Sequence, residues 1–283
     1  MQKDVHPQQL ALEMLGLLLL FFTVGVWLSS LTVLGLMAGA ELIGGAFEDF
    51  LLKAGMARLM RRCLMGWAAL LVIILLRRAG WRGWRDSGWL ARATLERRRS
   101  WWRWILIGAG LGLLVLGSLI LLRLLLGEHQ LVLTASGGES LRRAFSFLAS
   151  GLVVALLEET VCRGMLFRVF ARAWRVWPAA LVTSLLFALA HFLSPDPQAF
   201  HGSSFWQTTL NITLATYTTA GARLVDGLPF INLTLLGLVF CGCVAQTRTI
   251  WLGVGAHAAL VWGVKAFAFW TDPHPARQSL SWL

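Results

Sequence analysis

The chain has 283 residues, 57% of them hydrophobic and 14% charged, with a net charge of +11 and a mean hydropathy of +0.69. A single soluble core has no room for that much apolar side chain, so an ordinary globular domain is excluded. Nucleic-acid binding is excluded too: between Arg77 and Arg103 lie nine arginines and two acids, interleaved with Trp81, Trp84, Trp89, Trp101 and Trp102, and arginine with tryptophan beside apolar runs marks a membrane interface.

Met14 to Ala40 carries no charged side chain. A first helix is therefore predicted over about residues 10–38, an apolar run too long for a cleaved leader. A second, short helix is predicted at about 59–76, where Arg61 and Arg62 can snorkel. The basic stretch 77–103 reads as a cytoplasmic loop, followed by a third helix at about 101–125. After a polar stretch, Gly127 to Ser140, a fourth helix starts near Leu141. It continues past Glu158 and Glu159 into the spaced arginines Arg163, Arg168, Arg172 and Arg175. Pro178 opens a fifth helix, to about Leu193. The uncharged, Thr-rich stretch from Ala199 to Ala222 reads as a loop or re-entrant segment in preference to an eighth span. Two further helices follow, at about 229–247 and 249–270.

The expected architecture is thus all-α, a polytopic bundle of about seven to eight transmembrane helices. Residues 1–126 form an N-terminal part and 140–270 a second part that holds the chemistry. With the Arg77–Arg103 loop, Arg163–Arg175 and Arg248 on one side, the N-terminus falls on the cytoplasmic face of a cell membrane. Cys241 and Cys243 read as small packing residues, and no disulfide framework is implied.

Ionisable residues within spans mark functional sites. Glu158, Glu159, His191 and His257 qualify. Glu13 and Lys265 lie near helix ends and read as interfacial, and His6, His129, His201 and His274 read as surface residues. Glu159 and Arg163 have the i,i+4 spacing of a helical ion pair, which leaves Glu158 as the reactive carboxylate. Glu158 lies 17 residues before Arg175 and His191 lies 16 after it. At about 1.5 Å per residue both sit about 25 Å from that turn. His257 lies nine residues past Arg248, about 14 Å along its helix, compatible with the same layer. A carboxylate with an imidazole can activate water, and a second imidazole can stabilise an oxyanion. The same three residues, Glu158, His191 and His257, are also a possible zinc ligand set.

Glu158-Glu159-x-x-x-Arg163-Gly164, Phe187-x-x-x-His191, and His257 after Thr249-Ile250-Trp251 resemble the three motifs of the CAAX-protease and bacteriocin-processing family, the type II CAAX prenyl endopeptidase-like intramembrane proteases. The resemblance spans about residues 140–265. It implies about eight helices around a cavity open to the cytoplasm. It implies an intramembrane endopeptidase acting on membrane-associated peptides or protein tails, with lipid as the surroundings. Glu158 and His191 would activate water, His257 would help form the oxyanion hole, and Arg163 would pair with Glu159. The resemblance favours a glutamic mechanism with no metal, zinc being the alternative. One position departs from the pattern: the third motif usually has Asn or Asp four residues after its histidine, and here Val261 stands there. That substitution raises a second reading, a non-catalytic membrane scaffold or immunity protein on the same fold. A transporter or proton relay ranks last, because no inverted repeat is evident.

Overall fold

A computed structural model describes residues 7–78, 89, 101–132, 135–193, 200, 202 and 204–273. Long apolar runs become helices because a bilayer tolerates no unpaired backbone N–H or C=O. In chain order the helices are α1 (Pro7–Ile43), α2 (Gly45–Ala54), α3 (Met56–Arg78), α4 (Trp101–Leu125), α5 (Gly137–Glu158), a π-helical segment (Glu159–Leu166), α6 (Phe167–Ala173), α7 (Val176–Phe192), α8 (Phe205–Val225), α9 (Leu228–Thr247) and α10 (Trp251–Trp270). Two three-residue strands interrupt the all-helical expectation. β1 (His129–Leu131) pairs antiparallel with β2 (Thr271–Pro273), His129 opposite Pro273.

Among the described residues five helical stretches are long and apolar enough to cross a membrane: α1, α4, α5 through α6, α9 and α10; α7 is apolar but shorter. Seven to eight were expected. The difference lies in α3, which carries Arg58, Arg61 and Arg62, in the short α7, and in α8, which is rich in hydroxyls. The Arg77–Arg103 loop falls mostly outside the described residues, as do His6, His201 and His274. His129 is a half-buried strand residue whose ring lies 4.6 Å from that of Phe267.

The chain divides into two compact units, each built from two stretches of sequence. The first comprises Met1–Arg82 and Met165–Cys241. Its core gathers Val26, Val33 and Ala40 of α1, Met60 of α3, Phe192 of α7 and Ile212 of α8. The loop or re-entrant reading of 199–222 is overturned here, because most of that stretch is the regular helix α8. Its hydroxyls are absorbed by its own backbone. Thr208, Thr209, Thr213 and Thr216 each donate to the carbonyl four residues back, at 2.7–2.9 Å. A threonine bonded that way presents its methyl outward, and all four are buried. Ser204 caps the helix by accepting from the Gln207 N–H. Bonds across to α1 join the hydroxyls of Ser30 and Thr213 at 3.2 Å and the Tyr217 hydroxyl to the Phe22 carbonyl at 2.9 Å. Gly44, at φ 67°, ends α1 in a left-handed turn.

The second unit comprises Gly83–Gly164 and Gly242–Leu283. Here α10 packs against both α4 and α5, through glycine. A Cβ on Gly108 of α4 would overlap the Leu252 carbonyl, and one on Gly112 would lie 2.7 Å from the Ala256 carbonyl. The reciprocal Gly255 of α10 meets the Ile105 carbonyl of α4. On the other flank a Cβ on Gly151 of α5 would lie 2.8 Å from the Ala258 carbonyl. Without a hydrophobic force between helices in lipid, such close backbone approach is what binds them. Trp262 adds an indole N–H to the Ala144 carbonyl at 3.1 Å.

Candidate active site

The glycine contacts fix α10 along α5, and this brings His257 beside the end of α5. His257 is buried, at 5% exposure. Its Nδ1 lies 3.1 Å from Glu159 Oε1, and its Nε2 lies 3.7 Å from Glu158 Oε2. Arg163 donates from its guanidinium to the same Glu159 Oε1 at 3.2 Å, and both side chains are fully buried. A carboxylate only accepts, so Nδ1 carries the proton and the ring faces Glu158 through Nε2. The Glu159–Arg163 pair is what makes a buried carboxylate tolerable at this depth, and it sets the tautomer and angle of the imidazole.

Two local features make this geometry possible. Glu159 opens the π-helical segment, and π-turns are often found at functional sites. Gly253 faces Glu159 across the interface, where a Cβ would lie 2.8 Å from Oε2. Any side chain at position 253 would push that carboxylate away from His257.

His191 belongs to the first unit. It sits in the last turn of α7, exposed. Its Nδ1 is 2.8 Å from the Phe187 carbonyl, to which it donates, since a carbonyl only accepts. The Phe187 ring lies 4.5 Å from the imidazole. Phe187 is buried, so the motif phenylalanine anchors the helix turn that carries His191.

Residues 140–263 match a family model described as type II CAAX prenyl endopeptidase Rce1-like. The matched segment is similar to that CAAX-protease family. It contains Glu158, Glu159, Arg163, Phe187, His191 and His257, and the family points to a membrane-embedded protease. No curated protein and no solved structure matches the chain.

Within the Rce1-like segment, Val261 is half-buried and follows His257 by one helical turn. The Trp262 indole N–H goes to Ala144, so its bond is made in packing. Asn211 and Asn232 lie on α8 and α9 in the first unit. Among the described residues no group of three or more His, Cys, Asp and Glu is arranged to hold a metal ion. Within the second unit His257 lies between the carboxylates of Glu158 and Glu159.

Three features escaped the sequence reading. Spacing paired Glu159 with Arg163 but gave no sign that Glu159 also holds His257. Trp89 and Trp251, read as interfacial tryptophans or motif flanks, frame the site: Trp89 donates to the Thr160 hydroxyl at 3.1 Å and its carbonyl accepts from the Trp251 indole at 3.2 Å. Their rings meet edge-on at 5.1 Å. Lys265, read as interfacial, turns its ammonium to the Ser150 hydroxyl of α5.

Proposed function

We propose that the chain is an intramembrane endopeptidase of glutamic type, cleaving membrane-associated peptides or protein C-terminal tails without a metal. The observation that supports this best is His257 held between Glu158 and the buried Glu159–Arg163 pair. Arg163 balances the charge of Glu159, so the negative charge available to chemistry beside the imidazole is that of Glu158.

In this reading Glu158 takes a proton from water as its oxygen attacks the scissile carbonyl carbon, and His191 keeps the water-activating role that the motif resemblance gives it. The oxyanion that forms lies on the Nε2 side of the His257 ring, which donates to it when that nitrogen carries a proton. Collapse of the tetrahedral intermediate breaks the C–N bond, and Glu158 returns its proton to the leaving amine. Glu159 and Arg163 touch no substrate and act by holding His257. The basic arginine segments put the N-terminus on the cytoplasmic side of the cell membrane. The decisive experiment follows cleavage of a co-expressed prenylated protein tail. Glu158→Gln and His191→Ala should each abolish cleavage while the protein still inserts and folds, and activity should survive strong chelation with no zinc in the purified protein. Unchanged cleavage in both variants removes the proposal.

Val261 favours one other reading, a membrane scaffold on the protease fold. A missing oxyanion donor typically lowers the rate about 10²–10³-fold. The scaffold predicts that Glu158→Gln keeps its cellular function, whatever the chain does to peptides.

A further inference from the structure

Trp89 stands in the basic stretch between α3 and α4, yet both of its bonds reach the site of the second unit. Its indole N–H donates to the Thr160 hydroxyl at 3.1 Å, and its backbone carbonyl accepts the indole N–H of Trp251 at 3.2 Å. Thr160 is the second residue of the π-helical segment, next to Glu159. Trp251 opens α10, two residues before Gly253 and six before His257. All three are half-buried. The rings of Trp89 and Trp251 meet edge-on, and that of Trp101 on α4 lies 5.5 Å from Trp251. One residue, 71 positions from Thr160 and 162 from Trp251, thus bonds both the segment that carries the carboxylates and the helix that carries the imidazole.

Glu158, Glu159 and Thr160 are consecutive, and consecutive helical residues point about 100° apart. Contacts made by all three therefore fix the rotation of the segment about its own axis. His257 meets the first two. Those contacts change during the proposed reaction, because Glu158 gains and returns a proton and His257 turns its Nε2 to the oxyanion. The bond from Trp89 to Thr160 takes no part in the proton transfers and persists through them. A π-turn is an uncommon geometry that lasts where its surroundings over-determine it. Relaxation of residues 159–166 toward an ordinary α-helix would turn Glu158 relative to His257. The threonines of α8 give their hydroxyls to their own helix, whereas that of Thr160 accepts from a distant part of the chain.

We infer that Trp89 is a positioning residue: it brackets the π-helical segment and the start of α10, and keeps Glu158 and His257 aligned while protons move between them. It acts through Thr160 and Trp251, not on the substrate. The inference rests on the proposed peptidase reading, and the test separates the two.

The test uses the full chain in proteoliposomes, with a membrane-anchored peptide carrying one prenylated cysteine. Trp89→Phe keeps a ring and loses the N–H. It should lower kcat about three- to tenfold, with KM and the unfolding temperature unchanged. Thr160→Val should do the same, and Thr160→Ser, which keeps the hydroxyl, should recover the rate. The double variant Trp89→Phe, Thr160→Val should lose no more than the worse single one, since both remove one bond. Hydrogen exchange across residues 159–166 should quicken in Trp89→Phe and in Thr160→Val, and return to the wild-type rate in Thr160→Ser. An unchanged kcat in Trp89→Phe, multiplied losses in the double variant, or unchanged exchange overturns the inference. A loss carried by KM makes Trp89 a substrate contact and also overturns it. If Trp89→Phe fails to fold, Thr160→Val is compared with Thr160→Ser, and equal kcat in the two overturns it. If wild type shows no Glu158-dependent cleavage, the peptidase reading falls and exchange alone decides the bracket: faster exchange in Trp89→Phe supports it, and unchanged exchange overturns it.

Discussion

One helix in each unit shows a different way of packing. In the second, α10 touches α4 and α5 through glycine, backbone against backbone, and Gly108, Gly112, Gly151 and Gly255 leave no room for a side chain. In the first, α8 meets its neighbours through threonines whose hydroxyls bond to their own helix. Contacts of the first kind fix helix depth to a fraction of an ångström. Contacts of the second kind bury a polar-looking helix with only a few bonds to its neighbours, such as Ser30 with Thr213. The site needs the first kind, because His257 reaches Glu158 and Glu159 only at one depth of α10.

Substitutions can break this contrast, and the largest effects should fall in the second unit. Arg163→Met removes one member of a fully buried ion pair and should destabilise by about 3–5 kcal/mol, read from thermal unfolding in detergent. Glu158→Gln should leave that unfolding temperature nearly unchanged while removing cleavage. Gly255→Leu forces α4 and α10 apart and should cost about 1–3 kcal/mol, with cleavage falling further than stability because His257 moves with the helix. Gly253→Ala tests the site more finely: it should spare the fold yet lower kcat, since its methyl meets Glu159. Smallest of all, Thr209→Val in the first unit should change stability by no more than about 1 kcal/mol. A Thr209→Val effect as large as that of Gly255→Leu would erase the distinction.

The same contrast explains what could be read in the sequence. Helices α4, α5 through α6, α7, α9 and α10 fall within about four residues of the expected bounds, because long apolar runs are direct evidence of lipid-facing backbone. Helix α8 was misread because hydropathy counts a threonine hydroxyl as polar even when the carbonyl four residues back accepts from it. At the site, the i,i+4 spacing of Glu159 and Arg163 was legible, and the structure pairs them. The contact of Glu159 with His257 was not, since it depends on where two helices 98 residues apart in sequence come to rest. The glycines that decide this looked like ordinary membrane glycines until their neighbours were known. The bond of Lys265 to Ser150 of α5 was not legible either, since it too depends on how two helices pack.

The small ladder between β1 and β2 joins the chain just after α4 to the chain just after α10. Its two halves leave the ribosome about 140 residues apart, and α10, carrying His257, comes between them only near the end. During synthesis α4 and α5 are therefore in the membrane long before the helix that must seat between them. Every carboxylate of the candidate site precedes its imidazole from α10, and the ladder can close only once that helix has passed. The order of synthesis thus keeps this part of the site incomplete until the last helix of the unit has docked.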